Sequence, residues 1–112
     1  MGRIDEYRKK IQQVLTQYAN YNAIPRDVDD QVIIDIDNDH YLLIRAGWYN
    51  NTRRSYGCLM HMDIINDKIW IQYDGTEAGI ANELVELGVP KQDIVLAYHM
   101  PSKRKLTEFA VG

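Results

Sequence analysis

Hydrophobic residues recur at every third or fourth position between residues 4 and 21, with Arg, Lys and Gln side chains between them. This spacing is typical of an amphipathic helix with a single apolar stripe. Asp5 and Glu6 lie near its start, where a helix favours anions. The apolar positions of the predicted helix are Ile4, Tyr7, Ile11, Val14, Leu15, Tyr18 and Tyr21.

From Gln31 onward the period changes to two, which indicates β-strands. Pro25 disfavours a helix beyond Ala23, so we expect the polar segment before Gln31 to be a loop within one domain. Short polar turns, including Asn66 and Asp67, separate four alternating runs. Because short turns join antiparallel neighbours, the runs predict an antiparallel meander of residues 31–37, 41–49, 55–65 and 68–73.

The third run, residues 55–65, is the longest of the four. Uninterrupted alternation would put Cys58 and His61 on opposite faces of the strand, which argues against a catalytic Cys–His pair formed within it. Cys58 is predicted to be a small core residue instead. The same alternation groups Tyr56, Cys58, Met60, Met62 and Ile64 on one face, and Ser55, Gly57, Leu59, His61, Asp63 and Ile65 on the other.

A second helix is predicted to follow the fourth strand. Asp74 is its expected N-cap, and Glu77, three residues later, would complete a capping box. Gly88 and then Pro90 are typical of a helix C-terminus. The apolar stripe of this helix would consist of Ile80, Ala81, Leu84, Val85 and Leu87.

The remainder of the chain predicts a fifth strand over residues 93–99 and a polar turn with a short tail over residues 100–112. The expected fold class is therefore α+β. A long N-terminal helix packs on a four-stranded antiparallel meander, and a second helix precedes the short fifth strand. We expect a single domain over residues 1–112, near the commonest domain size.

The charge, the cysteine content and the lack of long apolar runs limit the kinds of protein that this chain can be. The net charge is −3 and the pI is near 5.5, which argues against binding nucleic acid by bulk electrostatics. Cys58 is the single cysteine and cannot form an internal disulfide, so a reducing compartment is expected. The N-terminus is charged from its third residue, and no long apolar run occurs. We therefore expect a cytoplasmic protein without a signal peptide or membrane span.

Three polar segments are candidates for chemistry, and each has a structural explanation. The acids of "DGTE", residues 74–77, suit a helix cap, while "DIDNDH", residues 35–40, suits a hairpin turn and lacks the Gly and Glu of a calcium loop. "DIINDK", residues 63–68, has the wrong spacing for a restriction-like nuclease. His40, His61 and His99 lack the short spacing typical of metal sites. No catalytic residue, metal site or cofactor is predicted, and the protein is not expected to be an enzyme.

The aromatic residues and two basic clusters provide candidate binding residues. Eight Tyr and two Trp against one Phe favour half-buried positions and interfaces. Two clusters, "TRR" and "SKRK", could contact phosphates, although solvated loops explain them as well. The candidate partner-binding residues are Trp48, Trp70, Tyr41, Tyr49 and Tyr56, and the candidate nucleic-acid-binding residues are Arg53, Arg54, Lys103, Arg104 and Lys105.

Several segments closely resemble the XisI family of fdxN-element excision controlling factors. They are "HYLLIRAGW", "YGCLMHMDI", "KIWIQYDGTE", "GIANELVELGVPKQDIVLAYH" and "TEFAVG". The likeness runs from "RIDEYRKKI" to the last residues and is weakest in "NAIPRDVDD". The ordered string W-x-Q-x-D-G-T-E-x-G-I-A-x-E-L makes it specific.

The resemblance implies a small cyanobacterial protein that acts with a partner called XisH in the timed excision of a DNA element, while a separate recombinase cuts and joins the DNA. It implies no catalytic residues. Two hypotheses follow. The first is a regulatory subunit that binds an XisH-like protein, or itself as a homo-oligomer, through the aromatic surface of the sheet. The second is an accessory factor that binds DNA directly, which both basic clusters lying on one face would favour.

Overall fold

A computed structural model describes residues 2–21 and 28–112 and confirms the α+β class. The helices are α1 (Arg3–Tyr21), α2 (Ile80–Glu86) and α3 (Pro101–Arg104), with a 3-10 turn at Lys91–Asp93. The strands are β1 (Val28–Asp35), β2 (His40–Tyr49), β3 (Arg53–Ile65), β4 (Lys68–Asp74) and β5 (Ile94–Leu96). The predicted connector after α1 lies largely in residues 22–27, outside the described residues.

The five strands form one sheet in the order β1-β2-β3-β4-β5. The first four pair antiparallel, which confirms the predicted meander, and β5 pairs parallel with β4 after the connection that contains α2. Hairpin turns use Asn and Asp residues with positive φ, conformations that these side chains tolerate. They are Asp39, Asn50, Asn51, Asn66 and Asp67.

One face of the sheet, the inner face, packs against α1 and α2. The buried residues of α1 follow the predicted stripe, because Tyr7, Ile11, Val14 and Leu15 all enter the core. Burying one such side chain contributes about 1.5–3 kcal/mol, so this stripe fixes the helix on the sheet. The inner face contributes Tyr41, Leu43, Met60, Met62, Ile69 and Ile71, and α2 adds Ile80, Ala81 and Leu84.

A β-bulge at Leu59 overturns the predicted alternation in β3. Leu43 pairs with Met60 but Ile44 pairs with Cys58, so Leu59 is an extra residue without a partner on β2. As a result Cys58 lies opposite Ile44 and His61 opposite Leu42, two positions that share a face of β2. The prediction that Cys58 and His61 point to opposite faces is therefore wrong.

The grouping of the β3 residues changes in the same way. Met60 and Met62 are buried on the inner face, whereas Tyr56 and Cys58 lie on the opposite, outer face, where Tyr56 is 71% exposed. Cys58 is half-buried and is not part of the core cluster. A single inserted residue reverses the side chains that follow it, because the period of a strand is two.

The start of α2 differs from the predicted capping box. The helix begins at Ile80, and the preceding Gly79 has φ 91°. Asp74 closes the loop instead: its Oδ1 accepts the Thr76 amide at 2.9 Å, and its Oδ2 accepts the Ile80 amide at 2.8 Å. Asp74 therefore accepts a hydrogen bond from the first residue of the helix, although it lies six residues before it. The predicted capping box with Glu77 is not formed.

The C-terminal end of α2 agrees with the prediction. Gly88 has φ 101°, and the Val89 amide bonds back to the Leu84 carbonyl at 3.0 Å, as in a helix that ends on a left-handed residue. The segment after β5 differs, because it contains the short helix α3 with Pro101 in its first turn where only a turn was predicted. None of the described helices is long and apolar enough to cross a membrane.

Candidate functional site

The outer face of the sheet carries exposed apolar side chains on β1 to β4. Ile33 is 44% exposed, Trp48 46%, Tyr56 71% and Tyr73 51%. Helices α1 and α2 pack on the inner face, and no described helix packs over β1 and β2 on the outer side. An apolar surface of this kind on a small domain is typical of an interaction site.

An arginine lies between two aromatic rings at one end of this face. The Arg54 guanidinium carbon is 5.5 Å from the centre of the Trp48 ring and 5.7 Å from that of Tyr56. The ladder positions these side chains together, since Trp48 pairs with Arg54 and Ala46 pairs with Tyr56. We call Trp48, Arg54 and Tyr56 the aromatic patch. Trp, Tyr and Arg are the residue types that dominate binding energy at protein interfaces.

The other predicted partner-binding residues do not join the aromatic patch. Tyr41 is fully buried on the inner face, and its hydroxyl donates to Asp39 Oδ1 at 2.7 Å, so the prediction that it contacts a partner is wrong. Burial raises the pKa of Tyr41 beyond its ordinary value, with the Asp39 hydrogen bond adding to the effect. The bulky ring fills the core beneath α1. Tyr49 occupies the face opposite to that of Trp48 and lies beneath the Arg53 guanidinium, 5.5 Å from it.

Trp70 is on the outer face but lies beneath the C-terminal segment. The Arg104 guanidinium carbon is 5.4 Å from the centre of its ring, and Trp70 Nε1 donates to the Ile65 carbonyl at 3.2 Å. The same segment pairs beside β5 through a bridge between Val95 and Ala110. Trp70 is therefore half-buried and packs against the end of the chain, which leaves less of its ring available to a partner.

The two basic clusters share the outer face through Arg54 and Arg104, but they are not brought together. Arg53 and Arg54 are adjacent in β3 and point to opposite faces. Arg104 donates to the carbonyls of His99 and Ala97, both at 3.1 Å, while Lys103 and Lys105 are exposed. Arg104 stacks on Trp70, and Trp70 pairs with Asp63 of β3. Asp63 is nine residues along β3 from Arg54, which gives a measure of the distance between the clusters. At about 3.3 Å per strand residue the clusters stand roughly 25–30 Å apart.

The outer face also contains a cluster that the sequence did not reveal. His40 Nδ1 lies 2.7 Å from Asp63 Oδ1, and His61 Nε2 lies 2.9 Å from the same oxygen. Gln72 Nε2 donates to the other oxygen, Asp63 Oδ2, at 3.2 Å. His40 and Asp63 are direct partners across β2 and β3, and His61 precedes Asp63 by two residues on the same face. His40 and His61 thus come together in the fold, although their spacing in the sequence is not the short spacing typical of a metal site.

The environment of this cluster is partly buried. Asp63 is 6% exposed. Its hydrogen bonds satisfy both carboxylate oxygens, as buried carboxylates require. The hydrogen bond to Asp63 raises the pKa of His40, and the negative charges of Asp63, Asp35 and Asp39 act in the same direction.

The segment at residues 35–40 has the hairpin-turn role predicted for it. In the turn at residues 35–40, Asp35 accepts the Asn38 amide at 3.2 Å, and Asp39 pairs with Arg8 at 2.8 Å. Burial raises the pKa of the Cys58 thiol, which donates to the Met60 carbonyl at 3.2 Å. A protonated, hydrogen-bonded thiol is a poor nucleophile, although Cys58 and His61 share a face.

The comparisons with a family sequence model and with solved structures all identify the same protein family. The sequence model of the XisI protein family matches residues 1–111. A crystal structure of a XisI-like protein from Anabaena variabilis ATCC 29413 is similar, with a TM-score of 0.90 and 38% identity over 96% of this chain and 97% of that chain.

The crystal structure of the fdxN element excision controlling factor XisI from the same organism is also similar. It has a TM-score of 0.83 and 38% identity over 99% of this chain and 100% of that chain. No curated protein matched. With a family match over almost every residue and two solved relatives that share its fold, this chain belongs to the XisI family.

Proposed function

We propose that this protein is a cytoplasmic, non-enzymatic controlling factor for the site-specific excision of a DNA element. It acts as a regulatory subunit that binds an XisH-like partner protein through the outer face of its sheet. The similarity to an fdxN element excision controlling factor over almost the whole of both chains supports the role in excision control. The identity of the partner follows from the family resemblance.

The observation that carries the proposal is the aromatic patch. Two large aromatic rings, 46% and 71% exposed, hold an arginine between them at the end of an open sheet face. Exposing such rings to water costs free energy that a partner surface recovers on binding. The stacked arginine is already ordered, so less side-chain entropy is lost when a partner contacts it. The patch thus has the composition and the rigidity of an interface centre.

Direct DNA binding receives less support from the geometry. Arg53, Arg54 and Arg104 each stack on an aromatic ring, and Arg104 also donates to two carbonyl groups. The clusters are separated along the sheet and do not form one continuous basic patch. A protein that neutralises several phosphates needs such a patch, and here the net charge is −3.

Co-expression with the XisH-like protein tests the proposal. We expect a stable complex in size-exclusion chromatography with light scattering, and we expect Trp48→Ala and Tyr56→Ala each to reduce the fraction of the chain that elutes in it. Tyr98→Ala is the matched control, because Tyr98 is an exposed aromatic residue outside the patch. Absence of a complex with the wild-type chain would count against the proposal. So would binding of a labelled DNA duplex by the isolated chain at low salt, which would favour the DNA-binding alternative.

A further inference from the structure

We propose that His40, His61 and Asp63 form a binding site for a divalent transition-metal ion, with zinc as the best fit. The three residues each offer one ligand atom, and these atoms all lie within 4.8 Å of one another. Two imidazoles and a carboxylate are borderline and hard donors that together suit zinc and its neighbours. This inference goes beyond the proposed function, because it does not depend on any partner protein.

Zinc binding requires the side chains of the cluster to rearrange around the ion. The two histidine nitrogens are 2.7 and 2.9 Å from Asp63 Oδ1. A zinc ion bonded to all three atoms at about 2.0–2.2 Å needs them roughly 3.0–3.5 Å apart. Each nitrogen–oxygen distance must lengthen by roughly 0.1–0.8 Å, and the two histidine nitrogens, which lie within 4.8 Å of each other, must adjust around the ion by side-chain rotation. The backbone therefore positions the donors before an ion arrives.

Metal binding must displace the imidazole protons that now form hydrogen bonds to Asp63. In the metal-free cluster, Nδ1 of His40 and Nε2 of His61 donate hydrogen bonds to Asp63 Oδ1, because a carboxylate oxygen can only accept them. A metal ion takes the lone pairs of these same nitrogens, so each neutral ring shifts its proton to its other nitrogen. Asp63 stays anionic and bonds the ion through Oδ1. No oxidant, reductant or further reactant is involved.

Neighbouring groups support a cation at this position. Gln72 donates to Asp63 Oδ2, the oxygen that the histidines do not contact, as partners of metal ligands do. Asp35 pairs with His40 across β1 and β2 and adds a second carboxylate near the site. The side chains of His40 and His61 are 50% and 31% exposed, so the ion is reachable from solvent and keeps positions for water.

The donor set also predicts which ions are excluded. Mg²⁺ and Ca²⁺ prefer oxygen ligands, and this site offers two nitrogens and one carboxylate oxygen. We therefore expect Zn²⁺ and Co²⁺ to bind and a large excess of Mg²⁺ not to displace them. The competing explanation is a purely structural network, since the hydrogen bonds of Asp63 are complete without an ion.

Calorimetric titration of the chelator-treated full chain with Zn²⁺ alone separates these explanations. We expect one ion per chain, with binding weakened at least about 100-fold by His40→Ala or Asp63→Asn and about 10-fold by Gln72→Ala. His99→Ala is the matched control and should bind like the wild type, because His99 stacks on Tyr98, away from the cluster.

Spectroscopy with Co²⁺ provides the second readout. We expect visible absorption bands from nitrogen and oxygen coordination in the wild type and in His99→Ala, and their loss in Asp63→Asn. His40 is half-exposed, so His40→Ala keeps the proposal testable even if Asp63→Asn fails to fold. Absence of zinc binding by the wild type, or zinc binding unchanged in His40→Ala, would overturn the proposal and leave a structural network.

Discussion

His40 stands directly opposite Asp63 in the ladder between β2 and β3, with 2.7 Å between His40 Nδ1 and Asp63 Oδ1. This pairing depends on the bulge at Leu59. Near the hairpin turn Tyr49 pairs with Arg53, and an uninterrupted ladder from there would set His40 opposite Met62. The extra residue moves Asp63 into that position and puts Met62 on the inner face, so one insertion builds both the core and the polar cluster.

The buried carboxylate should contribute measurably to stability in the metal-free protein. Asp63→Asn keeps the size of the side chain but replaces an acceptor of three hydrogen bonds with a group that offers one acceptor oxygen. We expect a loss of about 1–3 kcal/mol in the free energy of unfolding, measured by urea denaturation in the presence of chelator. Asp37→Asn is the control, because Asp37 is exposed. Equal effects of the two substitutions would contradict the role of Asp63.

A second carboxylate predicts a pH dependence. The Arg8 guanidinium, whose Nε is 2.8 Å from Asp39 Oδ1, lowers the pKa of Asp39 below its ordinary value of 3.8. A depressed pKa means that the folded state binds the proton less readily than the unfolded state. The stabilisation is therefore complete above about pH 3.8 and is lost as the pH falls through the lower folded value.

Unfolding free energies of the wild type and Asp39→Asn, measured between pH 7 and strongly acidic conditions, test this dependence. We expect the wild type to be more stable than Asp39→Asn by a constant free energy of unfolding near neutral pH. The difference should shrink on acidification, because protonation removes the charge of Asp39 while an asparagine at this position has no charge to lose. The Arg8–Asp39 pair also ties α1 to the turn before β2, so the same variant should loosen that contact. A difference that is independent of pH would show that the ion pair does not contribute.

Much of this fold can be predicted from local pattern. Tyr7, Ile11, Val14 and Leu15 are spaced for one face of a helix, and all four are buried as that spacing requires. The Asn66–Asp67 dipeptide identifies its hairpin because both residues adopt positive φ. Such features depend on residues close together in sequence, which is why the sequence alone is sufficient for them.

The site depends instead on register. A period-two pattern looks the same with or without one extra residue, so the Leu59 bulge leaves no mark in the run of residues 55–65. The His–x–Asp spacing at positions 61 and 63 indicates a shared face, but the identity of the opposite residue requires the ladder. The prediction that Tyr41 binds a partner is wrong because sequence alone does not separate buried from exposed aromatic residues. An aromatic side chain suits the core as well as an interface.

The glycine that ends α2 can be tested by substitution, with a glycine of β3 as the matched control. Gly88 has φ 101°, a conformation that strains any L residue, so Gly88→Ala should destabilise the protein by about 1–2 kcal/mol. Gly57 lies in β3 with open space around an added Cβ, and Gly57→Ala should be neutral or stabilise by up to about 1 kcal/mol. Thermal unfolding of the two variants provides the comparison. The reverse order of stability would contradict the assigned helix terminus.

The measurement that most directly tests the central claim is the affinity for the XisH-like partner, determined by titration calorimetry with the wild type, Tyr56→Ala and Tyr98→Ala. We predict that Tyr56→Ala weakens binding by at least about 2 kcal/mol, roughly 30-fold in Kd, while Tyr98→Ala stays within about twofold of the wild type. A wild-type chain that binds no partner, or a Tyr56→Ala variant that binds as tightly as the wild type, would contradict the account.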